Sequence, residues 1–260
     1  MFCGAVWKGV RFMENRPLLL APSLLACDFW RIGEKIKILE TAGVGWLHLD
    51  VMDGDFVPNI SFGQPLIKSI RKNTGLFFDV HLMIRDPARY IASFAEAGAD
   101  LICIHAESAL DPSAVLDAIR GLGKKAGVAI KPATPVAEIV PLLRFCDLAL
   151  VMSVEPGFGG QAFMPSALDK LKALRRLREE KGLDFLIEVD GGVGPDNARA
   201  AREAGADVLV AGSSVLGAED AGKAVEEIRA AAVNLTSEKE KGKRKNEVEF
   251  LRNSSVFKGQ

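Results

Sequence analysis

Eight short apolar runs punctuate this chain, near residues 18–25, 45–52, 76–83, 101–105, 127–131, 148–154, 185–190 and 207–212, with helix signals between each and the next. Strict alternation of this kind implies right-handed βαβ units and a parallel sheet, and eight such units close most naturally into a TIM (β/α)8 barrel. The 260 residues suit that architecture, which runs to ~250 residues as one domain. An open doubly wound sheet is the alternative. A nucleotide-binding version of it would carry G-x-G-x-x-G after the first strand, where this chain has Ala26-Cys27-Asp28-Phe29, so the barrel is the expectation.

Helix starts are marked at Asp86-Pro87, Asp111-Pro112, Thr134-Pro135 and Gly194-Pro195, where a capping oxygen or a glycine precedes a proline preset for the first helical position. Stops are marked by glycines in Ala42-Gly43-Val44, Ala97-Gly98-Ala99-Asp100 and Ala204-Gly205-Ala206-Asp207. In the first helical stretch Ile32, Ile36 and Leu39 form an apolar stripe, with Glu34, Lys35 and Lys37 off it. The barrel domain is read as residues 17–234, with a poorly ordered N-terminal extension over 1–16 and a charged tail over 235–260 that is disordered or extends a helix. Lys8, Arg11, Glu14 and Arg16 break the apolar character of the opening segment, so it lacks the continuous block of a signal peptide; a short extension ahead of a second start at Met13 is the plainer reading. The Glu and Lys run from Ser237 to Lys245 has no apolar periodicity and reads as solvated rather than as a basic tag.

A formal net charge of -1 leaves no electrostatic footprint for nucleic acid or an anionic membrane, so neither is expected as a partner. No apolar stretch approaches the ~20 residues that span a bilayer. Cys3, Cys27, Cys103 and Cys146 show no C-x-x-C spacing, and the apolar surroundings of Cys103 and Cys146 read as buried thiols. A soluble protein of a reducing, cytoplasmic setting fits these features.

Three of the runs end in residues that a buried strand has little reason to carry: His48 and Asp50, His81, and Asp190. Side chains two apart on a strand share a face, so His48 and Asp50 can reach one ion, and His81 and Asp190 complete two imidazoles and two carboxylates suited to a catalytic divalent metal. At a barrel mouth, where C-terminal strand ends gather, the four converge. His105 has Glu107 as its only apparent partner and is read as supporting or structural. Asp79 and Glu188 lie one step deeper, as buried carboxylates that pair with a lysine or orient a ligand. Strand parity aims Met52, Met83 and Met152 at the mouth, as core filler or as a non-acidic wall around a reactive carbanion. Three glycine-rich loops, Pro156-Gly157-Phe158-Gly159-Gly160-Gln161, Asp190-Gly191-Gly192-Val193 and Ala211-Gly212-Ser213-Ser214, hold no Lys or Arg and suit a phosphate gripped by backbone amides.

The strings His48-Leu49-Asp50-Val51-Met52-Asp53-Gly54, Phe56-Val57-Pro58-Asn59, Val80-His81-Leu82-Met83, Glu155-Pro156-Gly157-Phe158-Gly159-Gly160-Gln161 and Glu188-Val189-Asp190-Gly191-Gly192, with Ala21-Pro22-Ser23 near the start, closely resemble the ribulose-phosphate 3-epimerase family. The likeness spans about Leu18 to Ala232. It implies a TIM-barrel isomerase of the pentose phosphate pathway that interconverts D-ribulose 5-phosphate and D-xylulose 5-phosphate. By that resemblance His48, Asp50, His81 and Asp190 hold the metal, and Asp50 and Asp190 are the acid/base pair. Ser23, His81 and Asp190 meet the substrate, while Gly157, Phe158, Gly159, Gly160, Gly191, Gly192, Gly212 and Ser213 hold its phosphate end. The family is commonly dimeric or larger, which implies a homo-oligomer. Asp55 stands where the family commonly has His, and Lys131 occupies a position that varies between Asn and Lys in relatives.

Inverting C3 of a 2-ketose requires removing the proton α to the carbonyl and returning one to the opposite face. Two carboxylates from different strands can do this, with a metal stabilising the enediolate. Zinc suits the donors, and iron, manganese or cobalt can use the same set, because no thiolate discriminates among them. Three competing readings are a sister 3-epimerase of a six-carbon ketose phosphate such as D-allulose 6-phosphate, a decarboxylase- or aldolase-type phosphate-binding barrel, and a non-catalytic sugar-phosphate binding barrel. The second places a lysine between two aspartates on a strand, where Asp79-Val80-His81 has histidine, and is disfavoured.

Overall fold

A computed structural model describes residues 16–233. The readings of Cys3, of a start at Met13, of the extension before residue 16 and of the charged tail lie outside the described residues.

Eight parallel strands form the centre: β1 (Leu19–Pro22), β2 (Trp46–Met52), β3 (Phe77–Met83), β4 (Leu101–His105), β5 (Lys125–Ile130), β6 (Leu148–Met152), β7 (Leu186–Asp190) and β8 (Val208–Ala211). From β2 to β8 each strand pairs with the next, β1 pairs with β8, and a parallel bridge between Ser23 and His48 closes the ring. The helices α1 (Ile32–Thr41), α2 (Gln64–Arg71), α3 (Ile91–Ala97), α4 (Pro112–Gly121), α5 (Ala167–Lys181), α6 (Pro195–Ala204), α7 (Ser213–Leu216) and α8 (Ala221–Ala232) occupy the connections and the segment after β8. This is the barrel that the alternation predicts.

Strand parity divides the core in two. Outward residues such as Leu47, Leu49, Val80 and Ile104 pack with helix residues including Ile36, Leu39, Ile67 and Leu116 in one large shell. Inward residues Ala21, Leu101, Cys103, Ala129, Leu148, Leu150, Val208 and Val210 fill the barrel itself. The stripe of α1 is buried as expected, but Lys35 is buried with it. It follows Ile32 by three positions and so lies on the same helical face, where its aliphatic stem can cover apolar surface.

The largest departure from the sequence reading lies between β5 and β6. Thr134-Pro135 opens no α-helix; the connection holds only the 3₁₀ turns Val136–Ile139 and Leu143–Phe145. Pro141 explains this, since a proline inside a helix lacks the N–H and clashes with the preceding turn. Asp86-Pro87 likewise begins a 3₁₀ turn, Pro87–Arg89, ahead of α3, whereas Asp111 caps α4 as expected, its side chain accepting from the Ala114 amide.

At the N-terminal end of the barrel one device recurs three times. Asp100, just before β4, accepts from the Phe78 amide of β3 at 2.8 Å and from Arg71 at 3.0 Å. Asp147, before β6, accepts from the Ala126 amide of β5 and from Lys125. Asp207, before β8, accepts from the Ile187 amide of β7 and from buried Arg178. Each aspartate ties a strand to its neighbour at the closed end and carries a cation of its own. The opposite end is thereby left for chemistry. Cys27, Cys103 and Cys146 are free, buried thiols, and burial pushes Cys146 up to about 12. Among the described residues no helix is long and apolar enough to cross a membrane.

Candidate active site

The pairing register places Asp50 beside His81 and His48 beside Asp79, while β7 brings Glu188 and Asp190 into the same interior. One donor atom each from His48, Asp50, His81 and Asp190 lies within 4.8 Å of all the others. His48 Nε2 is 3.3 Å from both Asp50 Oδ1 and His81 Nδ1, and His81 Nδ1 is 3.2 Å from Asp50 Oδ1. Asp190 Oδ2 stands 3.9 Å from His48 Nε2 and 3.8 Å from His81 Nδ1. A tetrahedral ion with ligands at 2.0–2.2 Å needs edges of about 3.3–3.6 Å, so the donor set fits one cation with Asp190 a few tenths of an ångström wide.

The histidines are held from behind. His48 Nδ1 donates to Asp79 Oδ2 at 2.6 Å, which directs Nε2 toward the other three donors. Asp79 thus fixes the ring of one of the four donors, and no lysine among the described residues pairs with it. Glu188 Oε1 lies 3.8 Å from His48 Nδ1, and both of its oxygens, together with Asp79 Oδ1, find no hydrogen-bond partner among the described residues. On the far side of His81, His105 Nε2 lies 2.9 Å from His81 Nε2, and His105 Nδ1 faces Glu107 at 3.3 Å. The sequence offers His105 only Glu107; the second partner is on the neighbouring strand and is invisible to i±2 parity.

Electrostatics divide the two aspartates. Burial works against the charge on Asp50, but His48 and His81 outweigh it and hold the carboxyl well below the usual range. Burial and the Asp50 charge lift Asp190 to about 6. Burial also opposes a charge on His48, yet Asp50 and Asp79 raise it well above the ordinary imidazole range. The same negative field would favour a divalent cation, which would take the place of a proton on Nε2. Burial drives His105 down to about 4, keeping the ring neutral.

Above these donors a cleft opens at the mouth of the barrel. Ser23, Asp50 and Asp190 line its floor, with Met52, Met83 and Met152 around them and Gly157, Phe158, Gly159, Gly160, Gly191, Gly192, Gly212 and Ser213 on its rim. Ser23 Oγ donates to Asp50 Oδ2 at 2.5 Å. His48 and His81 are fully buried beneath this floor. Asp50 and Asp190 stand between them and the cleft.

Two of the glycines are demanded by close packing. Gly191, at φ 119°, would drive a Cβ to 2.5 Å from Val154, and Gly192, at φ 64°, to 2.5 Å from the Phe163 amide nitrogen. Side chains the sequence reading passed over hold the loops: Asn59 Nδ2 donates to Gly157 O, and Gln161 Nε2 to Glu155 O and Phe158 O. Two serines clamp the main chain of the two aspartates, Ser61 donating to Asp50 O at 2.6 Å and Ser153 to Asp190 O at 2.9 Å.

Residues 19–216 match the model of the ribulose-phosphate 3 epimerase family. A ribulose-phosphate 3-epimerase of Synechocystis sp. is 48% identical over 217 residues, covering 83% of this chain and 94% of that protein. One of Bacillus subtilis is 49% identical over 211 residues, 81% of this chain and 97% of that protein. Among solved structures, a 3-keto-L-gulonate-6-phosphate decarboxylase of Vibrio cholerae superposes with a TM-score of 0.61 at 14% identity, covering 84% of this chain and 98% of that one, which is a likeness of fold alone.

Proposed function

This chain belongs to the ribulose-phosphate 3-epimerase family, and from that membership we propose that it interconverts D-ribulose 5-phosphate and D-xylulose 5-phosphate by two-base proton transfer at C3. It is an isomerase. The observation that carries the mechanism is a pair of carboxylates, Asp50 and Asp190, delivered by β2 and β7 to one donor cluster and both lining the cleft.

Asp50, ionised and steadied by Ser23, takes the C3 proton from one face, and Asp190 returns a proton to the other; their roles exchange in reverse. Assistance of this kind is worth ~10²–10⁴-fold. Buried Met52, Met83 and Met152 exclude water without offering acidic protons. Gly157 to Gly160, Gly191, Gly192, Gly212 and Ser213 present backbone amides to the phosphate end, and Ser213 and Ser214, opening α7, have amides with no intrahelical acceptor. A substrate pinned there cannot turn over, so a single base cannot serve both faces.

His48, Asp50, His81 and Asp190 would hold one divalent ion, zinc by our reading, with iron, manganese or cobalt able to use the same donors. When bound, it supplies Lewis-acid polarisation of the substrate carbonyl. The apolar Trp30 and Ile60, 95% and 75% exposed, support a homo-oligomer, and the buried free thiols support a cytoplasmic setting. The barrel domain is assigned to residues 17–234.

The test is C3 epimerisation of ribulose 5-phosphate in deuterated water, before and after chelation, beside D-allulose 6-phosphate. Deuterium at C3 of the five-carbon product, lost on chelation and restored by metal, is expected. A higher kcat/KM for the six-carbon ketose would reassign the substrate, and tight binding without exchange would leave only a binding barrel. Metal analysis of protein purified without added metal identifies the ion, and sedimentation gives the oligomeric state.

A further inference from the structure

Each histidine of the cluster has its proton placed by a carboxylate, but by routes of different length. For His48 the route is direct, through Asp79. For His81 it runs through an intermediary. Glu107 Oε1 accepts from the Lys131 amide at 2.8 Å and from the Thr134 hydroxyl, while Oε2 faces His105 Nδ1 at 3.3 Å. An ionised carboxylate only accepts, so His105 carries its proton on Nδ1 and its Nε2 is left as an acceptor. That nitrogen is 2.9 Å from His81 Nε2, which must therefore donate. His81 is then bare at Nδ1, the atom that lies 3.2 Å from Asp50 and 3.3 Å from His48 Nε2.

We propose that Glu107 and His105 are positioning residues for the cation: through two successive hydrogen bonds they lock His81 in the tautomer whose Nδ1 can bind a divalent ion. Lys170 of α5 anchors the far end. Its ammonium donates to the carbonyls of Lys131, Pro132 and Thr134 at 2.8, 2.8 and 2.6 Å, pinning the turn whose amide and hydroxyl aim Glu107. The Phe56 ring, 5.0 Å from that of His105, covers the relay, and Lys131 Nζ sits 3.8 Å above Phe56. The inference rests on the metal reading of the four-residue site.

Polarity provides the test. In Glu107→Gln the oxygen stays with the Lys131 amide and the Thr134 hydroxyl, so the new NH2 faces His105 Nδ1 and donates to it. His105 must then carry its proton on Nε2, and His81 is driven to hold its proton on Nδ1, where it blocks the ion. Glu107→Ala deletes more of the side chain but leaves His105 undirected. Affinity of the full-length chain for Zn²⁺ and Co²⁺, read by chelator competition, should fall about 10–100-fold in Glu107→Gln and by less in Glu107→Ala. A merely structural role reverses that order. With three histidines in the chain, imidazole ¹⁵N spectra of the metal-free protein can follow His81 directly, its proton on Nε2 in the wild type and on Nδ1 in Glu107→Gln. The relay is overturned by a wild-type His81 protonated on Nδ1, or by Glu107→Gln binding both ions as tightly as wild type. A wild-type chain that binds neither ion overturns the metal reading instead, and the ¹⁵N spectra still judge the tautomer.

Discussion

Two buried ionic clusters occupy opposite ends of this barrel, and they are built to different rules. At the N-terminal end Arg178 and Asp207, 5% and 2% exposed, pair directly, and only Arg178 Nε lacks a partner among the described residues. Asp207 also accepts from the Ile187 amide, Arg178 donates to Phe185 O, and Arg202 stands 3.6 Å from the second oxygen. At the C-terminal end Asp50, Asp79, Glu188 and Asp190 face two imidazoles, and three of the carboxyl oxygens have no partner among the described residues. A carboxylate that already faces arginines has no call for a further cation. An anionic surplus in a low-dielectric interior is costly until a cation arrives, and that cost is the source of its affinity.

Removing charge should therefore have opposite consequences at the two ends. The largest effect is expected at the surplus end: Asp190→Asn or Asp50→Asn should lower turnover by at least the ~10²–10⁴-fold that proton transfer contributes, with no loss of melting temperature in metal-free protein. Isotope exchange at C3 and thermal unfolding measure the two quantities. Asp190→Asn turning over at near wild-type rate with metal bound would end the two-base assignment. At the closed end, Arg178→Met leaves buried Asp207 with only the more distant Arg202 and the Ile187 amide, which should cost about 3 kcal/mol in denaturant unfolding while kcat of the folded fraction is unchanged.

Glu188 sharpens the contrast. Burial, followed by the charge of Asp79, raises it well above the ordinary carboxyl range, so above the unfolded value near 4.5 the folded chain holds a proton that the unfolded chain has released. Folding stability of the metal-free protein thus declines on this account as pH rises from that value toward the folded one. Glu188→Gln should flatten the decline and raise stability at pH 7, at the expense of cation affinity. A steeper decline in the variant would show that Glu188 belongs with the closed kind of cluster.

The sequence made the surplus end readable and the closed end nearly mute. His48, Asp50, His81 and Asp190 announce themselves because period-two parity and strand ends are local properties, and polar groups on apolar runs need a reason. The glycine loops are readable on the same terms, from composition at strand ends. Asp100, Asp147 and Asp207 lie in plain view, but each bonds an amide 20–22 residues upstream, a distance no local pattern encodes. The second contact of His105 escapes local patterns for a related cause: its partner His81 belongs to the adjacent strand. The missing helix after β5 was a failure of weighting, since Pro135 was read as a start while Pro141, six residues on, forbids continuation.

Glu107 offers the smallest and most discriminating case, because it serves the surplus end yet is satisfied like the closed one. Burial would raise its proton affinity, but hydrogen bonds from His105, Thr134 and the Lys131 amide prevail and hold it at about 2, against an ordinary value of 4.5. With the folded value depressed, its contribution to stability is fully present above the unfolded value and is lost as pH falls through the folded one. The stability gap between wild type and Glu107→Gln should therefore be constant above about pH 5 and close progressively toward pH 2. The side chain is 23% exposed, so solvent screening keeps the effect well below that of Arg178. Urea unfolding of both chains across that range measures it. A gap that stays constant down to pH 2 would mean that Glu107 is not gripped as an anion, and the orientation it imposes on His105 would lose its source.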